Sequence, residues 1–194
     1  MSRRYEIRLS GSGGQGLILA GQILAEAAAV YDDKYATQSQ SYGPEARGGA
    51  SRSEVIISDE EIDYPKAVNL DFLLAFTQPA CDKYAGDLKK GGILLIDSAE
   101  VTKWPQGDFK IFSAPITEIA EKEVGKKVTA NLVAVGLIIG LSKIVTPIAA
   151  EEALWERVPK GTEEINLKAF QKGLEIAERL KPEQANTWLD AAGK

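Results

Sequence analysis

The sequence predicts an α/β fold: a sheet covered by helices on both faces, followed by a helical C-terminal part. Three observations carry that expectation. A period-two strand runs into a glycine-rich turn and then an Ala/Leu-rich stretch, short apolar runs recur between helical segments, and helical periodicity takes over in the last third. With 194 residues, 44% hydrophobic and 26% charged, the chain can bury one sizeable core and has an ordinary globular composition.

Residues 5–10 alternate Tyr5, Ile7 and Leu9 with Glu6, Arg8 and Ser10, which reads as a strand. Gly11-Ser12-Gly13-Gly14-Gln15-Gly16 follows. Residues 17–30, rich in Ala and Leu and free of Pro, then read as a largely buried helix. Strand, glycine turn and helix form the first half of a Rossmann-like unit. A short second strand is expected over 34–37. Residues 38–52 are polar and rich in Gly and Ser, so a long loop is expected there, of the kind that is functional or disordered in compact domains. A strand pattern resumes at 53–57.

The apolar run 71–76 ends at Thr77-Gln78-Pro79, which predicts a buried strand and a helix starting near Pro79. Ile93-Leu94-Leu95-Ile96 within 92–97 predicts a second buried strand and 110–113 a third. Residues 129–143 are nearly all apolar, with Gly136 and Gly140 one helical turn apart, and predict a helix buried on several sides. Another helix is expected over 151–158. Thr162 suits an N-cap, with Glu163 and Glu164 in the favourable first turn. Leu167, Phe170, Leu174, Ala177 and Leu180 form the apolar stripe of that last helix, and Pro182 stops it. The whole is a Rossmann-like sheet with helices on both faces and a helical C-terminal part. One domain is expected over 1–181, with 182–194 as a tail.

Composition excludes several chemistries. There is no histidine, which removes Ser-His-Asp and Cys-His pairs, histidine general bases and His-ligated zinc within this chain. The single cysteine, Cys81, can form neither an iron–sulfur site nor an internal disulfide, and with no histidine to activate it Cys81 reads as a bystander thiol. Net charge is −5 and no Lys/Arg block exceeds a pair, so nucleic acid is not an expected partner. The apolar uncharged stretch 128–142 is shorter than the roughly 20 residues of a membrane span, and no export signal is expected ahead of the fold. The expected setting is the cytoplasm, with no membrane contact.

Two motifs carry chemistry. In the glycine turn, Gly11, Gly13, Gly14 and Gly16 with Gln15 permit positive φ and close approach, so N–H groups at the helix start can cradle an anion such as a phosphate. The alternative is a tight strand–helix turn that needs glycine for packing alone. An NAD site would also need an acid after the second strand. Gln38-Ser39-Gln40-Ser41 stands there instead, and Asp32 and Asp33 come before that strand. In the second motif, Ser39 to Ser51, Arg47 lies between Tyr42-Gly43-Pro44 and Gly48-Gly49. Its planar fork suits a carboxylate or phosphate, or an ion pair with Glu45. Asn131, at the start of the apolar helix, needs a polar partner and either caps a backbone group or faces the site. Trp104 and Trp155 read as packing or interface residues.

Together the two motifs resemble the gamma subunit of the 2-oxoacid:ferredoxin oxidoreductases, the family of pyruvate, 2-oxoglutarate, 2-ketoisovalerate and indolepyruvate enzymes. The resemblance runs from Gly11–Gly16 through Thr37 to Ser53. It reappears at Asn131 and Gly136 and in Asn166-Leu167-Lys168-Ala169-Phe170 with Gly173. The wording from Thr37 to Ser51 is most similar to the 2-oxoglutarate type. The resemblance implies a multi-subunit enzyme that oxidatively decarboxylates a 2-oxoacid to the acyl-CoA. Thiamine diphosphate, Mg and iron–sulfur clusters would sit in partner chains, with no catalytic residue and no metal here, and with CoA as co-substrate. It implies a role for this chain in coenzyme A binding and active-site closure, through Gly11, Gly13, Gly14, Gln15, Gly16, Arg47, Gly48, Gly49 and Asn131. Alpha and beta subunits, with delta as an optional further one, are the implied partners, and ferredoxin is met through the complex. The isolated chain would be inactive and could pair as a homodimer. The alternative is a stand-alone nucleotide- or CoA-binding Rossmann module, or an NAD(P)-binding protein.

Overall fold

The computed structural model of the chain describes residues 4–42 and 50–183. Six strands form one sheet in the order β2-β3-β1-β4-β5-β6. They are β1 (Arg4–Ser12), β2 (Tyr35–Tyr42), β3 (Ala50–Ser58), β4 (Leu70–Ala75), β5 (Leu88–Asp97) and β6 (Lys110–Ala114). β1, β4, β5 and β6 run parallel, with Ile7 beside Phe72 and Phe72 beside Ile93. β3 runs antiparallel between β1 and β2.

Two sequence expectations change here. The second strand is longer than 34–37, and most of the expected loop over 38–52 is a β-hairpin, because 38–42 and 50–52 are paired strand. Within that stretch, 43–49 lie outside the described residues. The inserted antiparallel strand also separates β2 from β1, which a simple βαβ unit would place side by side.

The helices are α1 (Leu17–Glu26), continued by a π-helical segment Ala27–Tyr31, and α2 (Gln78–Tyr84). They are followed by α3 (Ile116–Ile119), continued by π-helical Ala120–Val124, and by α4 (Ala130–Ser142), α5 (Pro147–Arg157) and α6 (Glu163–Arg179). Strand alternation divides the core between the two faces. Ile7, Leu9, Phe72, Leu74 and Leu95 pack under α1, α3, α4, α5 and α6, whereas Leu70, Leu73, Leu94 and Ile96 pack under α2. Among the described residues, helices thus cover both faces, five on one and one on the other.

α4 is apolar all round and buried from Ala130 to Ile139, as its sequence predicts. α6 crosses it at glycines. A Cβ on Gly136 would lie 2.1 Å from the Phe170 carbonyl oxygen, and one on Gly173 would lie 2.1 Å from that of Val133. The buried side of α6 is Asn166, Ala169, Phe170, Gly173 and Ala177, so the expected Leu167, Leu174 and Leu180 flank the contact rather than fill it. α5 begins at Pro147, ahead of the expected 151. Thr162 precedes α6 but caps no backbone N–H. Its hydroxyl donates to the Pro159 carbonyl at 2.6 Å and accepts from Asn166 Nδ2 at 2.9 Å. Among the described residues no helix is long and apolar enough to cross a membrane.

Candidate functional site

The connections after β1 and β4 leave the sheet in opposite directions. α1 covers one face and leads to β2, while α2 covers the other and leads to β5. The crevice at the carboxyl ends of β1 and β4 is therefore a topological switch point, where open α/β sheets bind ligands. The glycine turn occupies it. The Phe76 N–H donates to the Ser10 carbonyl at 2.9 Å, and Gly11 lies so close that a Cβ would meet Phe76 Cβ at 2.9 Å and Gln15 Oε1 at 2.2 Å.

Gly14 (φ 87°) and Gly16 (φ 71°) adopt left-handed backbone, which a side chain resists. Gly16 also has no room, since its Cβ would lie 2.5 Å from Asn131 Nδ2. Gly13 and Gly14 are exposed, with nothing within 4 Å of an added Cβ. Packing thus explains Gly11 and Gly16, and backbone conformation explains Gly14, but neither requires glycine at Gly13.

α1 starts on Gly16 with no side chain capping it, and α4 starts on Thr129, whose hydroxyl turns back to the Lys126 carbonyl at 2.8 Å instead of capping. Asn131 ties the two helix starts together, its Nδ2 donating to the Gly16 carbonyl at 3.2 Å. The N-terminus of α1, with its partial positive charge, therefore meets the first turn of α4, which a 3-10 turn over Lys127–Thr129 continues backward, the Ala130 N–H donating to the Lys127 carbonyl. Asn131 is 4% exposed, and its Oδ1 is buried without a donor among the described residues. Gln15 turns inward, its Oε1 accepting the Ser12 N–H at 2.7 Å, so the turn itself takes up one of its own donors. The structure brings together Gly11, Gly13, Gly14, Gln15, Gly16 and Asn131. Arg47, Gly48 and Gly49 lie outside the described residues.

The other parallel strand ends differ. At the end of β5, Asp97 is fully buried and accepts from the Ala99 N–H (3.2 Å), the Thr117 N–H (3.1 Å) and the Thr117 hydroxyl. That carboxylate caps α3 and is used up. The sequence reading missed this lock, although Ile116, Ile119, Ala120 and Val124 carried a helical period. Asp32 is also spent, accepting the Thr146 N–H and hydroxyl, each at 2.7 Å, at the start of α5. A groove of about 340 Å³ beside Glu123, Lys172, Glu175 and Arg179 has its charges paired with one another. Cys81 is buried, and burial, with Asp82 nearby, pushes its thiol up to about 11, so it is an inert thiol. Among the described residues no group of three or more acids or cysteines is placed to hold a metal.

Known proteins resemble this chain along most of its length. Residues 6–176 match the family model for pyruvate ferredoxin/flavodoxin oxidoreductase. A 2-oxoglutarate synthase subunit KorC of Methanocaldococcus jannaschii is 53% identical over 179 residues, covering 91% of this chain and 96% of that one. KorC of Methanothermobacter thermautotrophicus is 52% identical, covering 89% and 95%. Among solved structures, the gamma subunit of a keto/oxoacid ferredoxin oxidoreductase from Geobacter sulfurreducens is 54% identical with a TM-score of 0.85, covering 92% of this chain and 99% of that one.

Proposed function

This chain belongs to the pyruvate ferredoxin/flavodoxin oxidoreductase family as a gamma-type subunit, and from that premise and the geometry of the glycine turn we propose its part in the reaction. It binds coenzyme A at the carboxyl ends of β1 and β4 and closes over an active site that partner chains supply. The reaction is the oxidative decarboxylation of 2-oxoglutarate or a near relative to the acyl-CoA. Residues 1–181 act as one domain, and alpha and beta subunits are the partners.

The observation that carries this reading is the uncapped N-terminus of α1 at an exposed glycine turn, with the orphaned Asn131 of α4 against it. Phosphate groups are bound by such N–H donors, and coenzyme A carries phosphates and amides on one flexible molecule. Gly13 and Gly14 lie open for the anion. The orphaned Asn131 Oδ1 is an acceptor and calls for a donor, from water or from an amide or hydroxyl of the ligand. Arg47, beside Gly48 and Gly49 in the sequence, supplies a positive charge in this reading, since a planar guanidinium fork suits phosphate or carboxylate.

Thiamine diphosphate and iron–sulfur clusters do not fit this chain. One buried cysteine cannot ligate a cluster. The carboxylates buried along β1, β3 and β4 are already bound: Glu6 and Glu54 to arginines, Asp71 to Lys89. In this reading the residues at the turn bind and orient the ligand.

The test is anaerobic isolation of the tagged chain from its host, with co-purifying chains identified and the eluate assayed for low-potential dye reduction. Activity requiring both a 2-oxoacid and coenzyme A, with cysteine-rich and thiamine-binding partners, is the expected result. A chain recovered alone, inactive and blind to coenzyme A would overturn the reading.

A further inference from the structure

We propose that the outer face of α5, with the end of the α1 segment beside it, is the docking surface for a partner subunit that presents an apolar centre ringed by lysine and arginine side chains. The inference rests on the multi-subunit reading above. Ile148 and Trp155 stand at i and i+7 of α5, on one side of the helix, and are 74% and 47% exposed. Val30 and Tyr31, at the end of the π-helical segment, are 63% and 38% exposed.

These residues are neighbours in space. Asp32 grips the Thr146 N–H and hydroxyl at the α5 start, the Lys34 ammonium donates to the Ile144 carbonyl, and Arg157 at the α5 end pairs with Glu26 on α1. Tyr31 lies beside the same helix: desolvation, with Glu156 and Glu152 of α5 and Glu26 of α1 nearby, holds its hydroxyl above the usual range. Scattered exposed apolar residues are ordinary, but an apolar group on two packed elements, including a tryptophan, is the composition of an interface centre.

The rim gives the partner's sign. Among the described residues, neither Glu152 nor Glu156 is in an ion pair, and Glu151 accepts a hydrogen bond from Gln171 Nε2. A second copy on a two-fold axis would bring these carboxylates against their own copies, whereas a basic rim complements them. The adjoining sheet edge is open as well. β2, Tyr35–Tyr42, carries no charge and no proline, and no described strand pairs with its outer side. The opposite edge, β6, is partly covered, its Ile111 carbonyl accepting the Glu183 N–H at 2.7 Å.

The experiment uses the full chain assembled with its oxidoreductase partners, and measures recovery of those chains and the dissociation constant of the complex. Trp155→Ala should weaken assembly roughly tenfold or more. Ile148→Asp should abolish it without harming α5, since an acid in the first turn suits the helix dipole. Glu152→Lys with Glu156→Lys should slow association and remove its salt dependence. All four side chains lie at the surface, and unchanged circular dichroism and melting temperature confirm that each variant folds. Variants that assemble as tightly as wild type overturn this surface and leave the subunit reading standing. A wild-type chain that recovers no partner overturns both, and a Trp155-dependent homodimer overturns the partner proposed here.

Discussion

The two ends of β1 treat their polar groups in opposite ways. In its first half every charge is partnered. Glu6 accepts from Arg4 at 2.8 Å and from the N–H groups of Val68 and Asn69 at 2.6 and 2.9 Å. Arg8, 5% exposed, binds Glu54 at 2.8 Å, Asp87 and the Ala67 carbonyl, and lies under Tyr84 with its guanidinium 4.8 Å from the ring centre. At its far end the strand opens into a turn where two helices lack side-chain caps and Asn131 keeps an unmet acceptor. The first end spends its polar groups on holding the 59–69 segment, α2 and β3 in place. The second leaves Asn131 Oδ1 without a partner among the described residues. A fold can hold an unsatisfied corner open only when the surrounding frame is rigid, and the paired charges supply part of that frame.

The sharpest way to break this contrast is at Arg8. Arg8→Ala leaves the buried Glu54 with only the more distant Arg52, at 3.8 Å, and takes the partner from Asp87; breaking a buried pair of this kind should cost about 3–5 kcal/mol in urea unfolding. A loss under about 1 kcal/mol would mean the charges are not closing the frame. Gly136→Ala comes next, because its Cβ has no room against the Phe170 carbonyl. Overpacking of this kind costs about 1–3 kcal/mol, read as a lower thermal midpoint. At the open end the effects shrink. Gly14→Ala must hold positive φ and should cost about 1–2 kcal/mol. Gly13→Ala should stay within about 0.5 kcal/mol, since nothing lies near its Cβ.

Cys81 gives the smallest effect and one with a pH sign. Its folded thiol, raised to about 11 from 9.0, favours the neutral form, so its contribution is whole below about pH 9 and is lost as pH rises through about 11. Alkylation at pH 8 should accordingly wait for unfolding; rapid reaction of the folded chain would contradict the burial.

How much of this was legible in the sequence depended on range. The buried strands β4 and β5 and the helix α4 were readable because continuous apolar runs need no partner to be recognised. The hairpin β2–β3 was not. Gln38, Ser39, Gln40 and Ser41 have no apolar alternation, and they become strand by pairing with Glu54, Ser53 and their neighbours. Charged residues alternating along β1 ordinarily mark a wet face, yet Glu6 and Arg8 are buried, because their partners come from β3, the 64–69 segment and the turn before β5. The glycine turn was visible as residues, and its placement at a switch point needed the strand order. That Gln15 folds back on Ser12 and that Asn131 reaches Gly16 are facts of side-chain direction and of a contact 115 residues apart, which no local pattern encodes.

The most direct measurement compares coenzyme A and 2-oxoacid kinetics in the assembled complex carrying Gly13→Asp. The substitution adds a carboxylate at the open turn where a Cβ meets nothing. Charge repulsion should raise the KM for coenzyme A roughly tenfold or more, leaving the KM for the 2-oxoacid, the assembly and the melting temperature unchanged. An unchanged KM for coenzyme A in a fully assembled Gly13→Asp complex would contradict the claim that this turn receives the anion.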